Sequence, residues 1–199
     1  MMATPQIAAV AVALLAALAN LVRRQWLVNI IALALQYLAV FVLLLALRPP
    51  LLALIKLLVG WMVVLLLLIT LASLKSFLPG QAFFHFTPGE IFRAAAGIFI
   101  IFTLILTAPN LNQGLFASAP QTILISSLGL IFLGLLQLGM ISEPLYIIIG
   151  LLTFLSGFEL LYASLEFSSI LEALFAAVNL GLALIGAYFL VKQEESQTV

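Results

Sequence analysis

The sequence predicts an all-α integral membrane protein, a bundle of about seven transmembrane helices. Composition is the first observation: the 199 residues are 66% hydrophobic and 7% charged, and the mean hydropathy is +1.36, whereas soluble domains are about 25% charged. Distribution is the second, because apolar residues fill whole segments of about 18 residues or more. Helices that share a soluble core would be apolar on one face only.

Composition also excludes several classes of function and of binding site. The formal net charge is zero, so a basic surface for nucleic acid is not expected. The absence of cysteine excludes disulfides, iron–sulfur ligation and thiol catalysis. His85 is the single histidine and the chain contains no aspartate, so neither a protein-built metal site nor bis-histidine haem ligation is expected. We expect this chain to bind no cofactor. If it belongs to a membrane oxidoreductase complex, we expect it to be a non-catalytic subunit.

The first apolar segment is predicted to be a retained transmembrane helix. Pro5 suits its first position, where a missing N–H costs no hydrogen bond, and Arg23–Trp26 ends it with two charges and an interfacial tryptophan. Residues 17–19, Ala-Leu-Ala, resemble a signal-peptide cleavage site. No lysine or arginine precedes the apolar run, however, so the charged region of a signal peptide is missing.

Short turns separate several of the later helices. Arg48-Pro49-Pro50 and Ser142-Glu143-Pro144 are long enough only to connect antiparallel neighbours. We expect one transmembrane domain over residues 1–191, followed by a short disordered cytoplasmic tail, residues 192–199. The predicted helices are Pro5–Val22, Leu27–Leu47, Leu51–Ser73, Glu90–Thr107, Gln121–Met140, Leu145–Ser164 and Ile170–Val191.

Two longer connections differ in character. Lys75–Phe92 interleaves five phenylalanines with proline and glycine, so it is too broken to span and is expected to lie along the cytoplasmic interface. Thr87 and Glu90, near its end, form the pattern of a capping box that starts the fourth helix. Pro109–Pro120 is predicted to be an uncharged loop.

Basic residues set the expected orientation. With the N-terminus outside and seven helices, five basic residues fall on the cytoplasmic side and only Arg48 falls on the other, which satisfies the positive-inside rule. The C-terminus is then cytoplasmic, and the protein is expected in a bacterial inner membrane or another energy-converting membrane. The five residues are Arg23, Arg24, Lys75, Arg93 and Lys192.

Glu159 is the main candidate functional residue. It lies well inside the apolar run Tyr146–Ala163, and a charge at membrane depth costs about 2.5–3.5 kcal/mol on insertion scales. By the order of the helices, Lys56 of the third helix and Glu172 of the seventh fall at a similar depth, in the outer part of the membrane. Carboxylate and ammonium groups at one depth can pair, and chains of such groups make proton relays.

Two polar stripes surround these charges. The sixth and seventh helices each carry small and polar residues at spacings of three and four, so each set shares one helix face. Such residues at membrane depth face protein, and the short connection predicts that the two stripes face each other. Their members are Thr153, Ser156, Glu159 and Ala163, and Glu172, Ala176, Asn179, Ala183 and Gly186.

Most of these residues also have a structural interpretation. Glu172, three residues after Ser169, fits a capping box. Asn179 fits a side-chain amide that only hydrogen-bonds to a neighbouring helix. Lys56 lies close enough to a helix end for its ammonium group to reach the interface. Structural roles are also assigned to His85, Gln36 and Tyr37.

A resemblance to a known family begins at Glu159. Residues 157–163, Gly-Phe-Glu-Leu-Leu-Tyr-Ala, resemble the Gly-Leu-Glu motif of the small K-type membrane subunit of NADH-quinone oxidoreductase (complex I) and its relatives in Mrp-type antiporters. Residues 176–184 resemble that subunit's third helix, with Asn179 where the family carries a second glutamate. The seven-helix layout is similar to component E of hydrogenase-4, a longer K-type relative, which also has a lysine where this chain has Lys56.

The resemblance implies a membrane-arm subunit of a complex I-like or hydrogenase-like complex, with Glu159 as a carboxylate of its proton path. Asn179 departs from the family, and the two-glutamate relay would then need Glu172 from the same helix face. Other membrane subunits and lipids are the expected partners, and a quinone nearby is left open.

Two other functions stay open at this point. One is a structural or accessory membrane subunit of a respiratory or photosynthetic complex without a proton role. The other is a small autonomous transporter or sensor, which the short loops and few charges disfavour, because they leave little for a soluble partner or a sizeable polar substrate to bind.

Overall fold

The computed structural model describes residues 3–74, 88–113, 119–166 and 168–198. Within these ranges the chain forms seven helices and no strand, and each helix is long and apolar enough to cross a membrane, which confirms the predicted fold class. Most of the Lys75–Phe92 connection, with His85 and Thr87, lies outside the described residues. The helices are α1 Ala3–Val22, α2 Trp26–Leu44, α3 Pro50–Ser73, α4 Pro88–Gln113, α5 Gln121–Met140, α6 Pro144–Leu165 and α7 Ser169–Thr198.

Local sequence explains where α2 ends. α5 has the predicted bounds, and α2 ends at Leu44, three residues before its predicted end. The Leu47 N–H donates to the Leu44 carbonyl at 2.9 Å, the bond of a tight turn instead of an α-helix. The turn comes just ahead of Pro49, and proline disfavours a helical conformation in the residue before it.

Two helices run further than predicted. α4 continues through Pro109 to Gln113, so the first part of the predicted loop Pro109–Pro120 is helical. Membrane helices tolerate the loss of the backbone hydrogen bond that a proline causes. α7 continues to Thr198, which corrects the disordered tail expected after Val191. The added segment contains lysine, glutamine and glutamate, which are good helix formers, and neither glycine nor proline.

The helices pack in alternating directions. α1, α2, α5 and α6 pack together in the middle, α4 lies on α1 and α5, and α3 and α7 pack on each other with α3 against α2 and α7 against α6. We call the side where α2 joins α3 and α6 joins α7 the Arg48 end, and the side where α1 joins α2 and α5 joins α6 the Arg24 end. Arg48 contacts Glu172 across the first of these ends, and Arg24 contacts Glu143 across the second.

α5 and α6 cross with their backbones in contact. A Cβ atom on Gly134 would lie 2.7 Å from the Phe154 amide nitrogen, and one on Gly157 would lie 2.7 Å from the Ser127 carbonyl oxygen. Glycine is therefore required at both positions, because a real Cβ would force the helices apart. Since Gly157 lies two residues before Glu159, this crossing also fixes the position of the buried carboxylate.

Candidate functional site

Lys56 and Glu159 form an ion pair inside the bundle. The Lys56 ammonium contacts Glu159 Oε2, and the two side chains are only 11% and 7% exposed. Lys56 lies six residues into α3 and Glu159 six residues before the end of α6, so each is about 9 Å from the Arg48 end at 1.5 Å per residue. The prediction of similar depth is confirmed, and Lys56 points to a carboxylate instead of reaching for the interface.

Asn179 and Tyr37 complete this site from two other helices. The Asn179 amide donates to Glu159 Oε1 at 2.6 Å and to the Phe175 carbonyl at 2.9 Å. The Tyr37 hydroxyl donates to Asn179 Oδ1 at 3.2 Å. Both oxygens of Glu159 are therefore engaged, one by an ammonium group and one by an amide. We call Lys56, Glu159, Asn179 and Tyr37 the buried tetrad.

Gly60 makes room for the tyrosine of the tetrad. The Lys56 nitrogen lies 5.3 Å from the centre of the Tyr37 ring, within the range of a cation–π contact. A Cβ atom on Gly60, one helical turn after Lys56, would lie 2.5 Å from ring atoms of Tyr37. The pattern of polar residues does not mark Gly60; its signal in the sequence is the position of a glycine four residues after Lys56, on the same helix face.

Glu172 pairs with Arg48, whereas Glu159 pairs with Lys56. Arg48 Nε lies 3.2 Å from Glu172 Oε1, and the Arg48 guanidinium also donates to the Glu166 carbonyl. The capping interpretation of Glu172 is wrong: α7 begins at Ser169, so the cap is Ser168, whose hydroxyl accepts from the Leu171 N–H at 3.5 Å. Glu172 therefore lies one position beyond the third helical residue and belongs to a second ion pair at the Arg48 end.

A pocket connects the two ion pairs. Its volume is about 140 Å³, which leaves room for several water molecules, since one needs about 10–15 Å³. All four charged side chains of the two pairs line it. The apolar lining comes from the ends of α2, α3, α6 and α7, including Leu44, Leu52, Ile55, Phe175 and Ala176.

A further polar contact lies on the other side of the tetrad. The Thr153 hydroxyl and Gln36 Oε1 are 3.3 Å apart, joining α6 to α2, and Ser156 lies beside Tyr37. Among the described residues, the buried Gln36 Nε2 has no hydrogen-bond partner, a position that an ordered water would satisfy. Gln36 and Tyr37, interpreted from the sequence as structural, thus both lie at the site.

The arrangement places a buried carboxylate between two donors, the Lys56 ammonium and the Asn179 amide, beside a pocket that has room for water. The Asn179 oxygen accepts from Tyr37, which holds the amide nitrogen toward the carboxylate. Within the described ranges, no group of three or more histidine, aspartate and glutamate side chains comes together as a metal site. Comparisons with protein-family models, curated proteins and solved structures found no match to this chain.

Proposed function

We propose that this chain is a membrane subunit of a complex I-like or hydrogenase-like energy-converting complex, and that Glu159 and Lys56 contribute to its proton path. The observation that carries the proposal is the buried tetrad with its pocket. Burying two charges is expensive even when they pair, and well-packed apolar residues would be as stable or more so. A pair placed beside a pocket with room for water therefore points to a use for the charges.

The resemblance stated from the sequence supports the same proposal. The glycine of the Gly-Phe-Glu sequence at 157–159 positions the carboxylate through the α5–α6 crossing. Asn179, where the K-type subunits carry a second glutamate, donates to Glu159. In this chain it would hold the proton-carrying carboxylate instead of acting as a second proton site, and Glu172 would act with Arg48 at the mouth of the pocket.

Replacing Glu159 with glutamine tests the proposal. Glutamine keeps the size of the side chain but cannot carry a proton, and its single oxygen can accept from only one of the two donors, Lys56 or Asn179. In membranes where the variant replaces the natural chain, we expect the complex to assemble and its proton translocation to fall to a small fraction of the wild-type rate. Because Glu159→Gln leaves Lys56 unpaired, the double variant with Lys56→Met tests the same point without a lone buried charge.

Glu143→Gln is the matched control, because Glu143 is a half-exposed carboxylate paired with Arg24 and far from the tetrad. It should pump normally. A Glu159→Gln complex that assembles and pumps at the wild-type rate would refute the proton role. It would favour the second candidate, an accessory subunit. The outer helices α4 and α7 are mostly exposed in this chain, as expected of helices that pack on partner subunits or lipids.

The proposed orientation places the Arg24 end in the cytoplasm. Arg23, Arg24, Arg93 and Lys192 lie at or near that end, and basic residues favour the cytoplasmic side. A reporter enzyme that folds only outside the cytoplasm, fused after Val199, should be inactive, whereas one that is active in the cytoplasm should work. Activity of the first reporter would reverse the orientation.

A further inference from the structure

We propose that the buried tetrad exchanges water and protons with the Arg48 end only, because an apolar layer seals it from the Arg24 end. That the transferred species is a proton rests on the proposed function, but the one-sided access of water does not depend on it. The layer contains five side chains from four helices, all of them 0% exposed and all in one packed cluster: Leu33, Val63, Ile149, Leu152 and Ala183.

The same order of polar and apolar residues occurs on all four helices around the tetrad. Moving from the Arg48 end toward the Arg24 end, the buried face of each helix changes from polar to apolar. The sequence of residues is Tyr37 and Gln36 then Leu33 in α2, Lys56 then Val63 in α3, Glu159 and Thr153 then Leu152 and Ile149 in α6, and Asn179 then Ala183 in α7.

The layer is thick enough to exclude water. Beyond it, the next buried polar side chains on these faces are Asn29 in α2 and Tyr146 in α6, each seven residues from Gln36 or Thr153. Seven residues of helix span about 10 Å. A water molecule or an ion in such a layer would lack hydrogen-bond partners, and apolar cavities in proteins stay dry.

The Arg48 end differs, because it has an open pocket whose largely apolar wall carries four charged side chains. There the pocket runs from the Arg48–Glu172 pair to the Lys56–Glu159 pair, so polar groups continue from the tetrad to the helix ends. Gln137 of α5 lies beside Gly150 of α6 and donates to the Tyr146 carbonyl, but on α2, α3, α6 and α7 a proton that reaches Glu159 from this end meets no further buried polar side chain within the apolar layer. It must return or pass sideways to a neighbouring subunit.

Single-cysteine labelling tests the proposal, and the chain is suited to it because it has no natural cysteine. The probe is a small membrane-impermeant thiosulfonate, which reacts only where a thiol meets water. It is added to one face of sealed membrane vesicles that contain the chain with its natural partners, in both vesicle orientations. Ala163→Cys and Ala176→Cys report on the pocket, and Leu33→Cys and Ile149→Cys report on the apolar layer.

We expect both pocket variants to react from the face of the Arg48 end and not from the other face, and both layer variants to react from neither. Ala46→Cys and Glu143→Cys are the controls, because they lie exposed at the Arg48 end and the Arg24 end respectively. Each should react from its own face alone.

Three results would overturn the proposal: a layer variant that reacts from the Arg24 face, a pocket variant that reacts from that face, or pocket variants that react from neither face. These results are independent of pumping. The expected labelling pattern together with normal pumping by Glu159→Gln would retain the one-sided access of water and reject the proton role.

Discussion

Lys56→Met is expected to destabilise the folded protein by about 3–5 kcal/mol, the typical cost of removing one member of a buried ion pair. Methionine fills most of the same space, so the loss comes from the Glu159 carboxylate, which is 7% exposed and is left with the Asn179 amide as its remaining polar contact. The free energy of unfolding in detergent micelles, followed by helical circular dichroism against denaturant, measures the effect.

Two further variants show that the pair is the cause. The double variant Lys56→Met with Glu159→Gln removes both charges and should recover most of the lost stability, because no uncompensated charge stays buried. Lys192→Met is the control: Lys192 is an exposed lysine near the end of α7, and its replacement should change stability by no more than about 0.5 kcal/mol. If Lys56→Met unfolded at the wild-type midpoint, the ion pair would not contribute in the way described.

Gly157→Ala is expected to have an effect of similar size, through packing instead of charge. The added methyl group would lie 2.7 Å from the Ser127 carbonyl oxygen and 2.8 Å from the Ile131 amide nitrogen, and backbone atoms of a neighbouring helix cannot rotate away. Overpacking costs about 1–3 kcal/mol, occasionally more, and the upper part of this range is expected here. The same unfolding measurement applies.

Gly139→Ala supplies the matched control in the neighbouring helix. A Cβ atom on Gly139 meets nothing within 4 Å, so alanine there should be neutral or stabilising by about 0.5–1 kcal/mol, because it favours the helix more than glycine does. Equal effects of the two substitutions would contradict the description of the α5–α6 crossing.

Hydropathy predicted the helices well because a membrane span is defined by apolar length, and α5 follows the prediction at both bounds. It failed where a helix continues beyond the apolar segment, as in α7, which runs on to Thr198. Hydropathy marks the edge of the membrane, whereas a helix ends where its backbone hydrogen bonds end. No glycine or proline after Val191 stops them.

The site was predicted in part for a similar reason. The order of the helices placed Lys56 and Glu159 at one depth, and helical spacing placed Asn179 on an inward face. The packing of α3 against α7 joins helices that are distant in the chain, and spacing within one helix carries no information about it. The contribution of Tyr37 and the pairing of Glu172 with Arg48 depend on that packing, so the sequence pattern missed both.

The separation of Lys56 and Glu159 in the chain has a consequence for biosynthesis. About a hundred residues lie between them, which a ribosome adds in roughly 5–20 s at about 5–20 residues per second. During that time α3 must stay in the bilayer with an unpaired lysine. α3 has the highest hydropathy of the seven spans, and its leucine-rich sequence offsets the cost of the lone charge until the carboxylate arrives on α6. That cost is below the roughly 2.5–3.5 kcal/mol of a charge at a helix centre, because Lys56 lies near the start of α3.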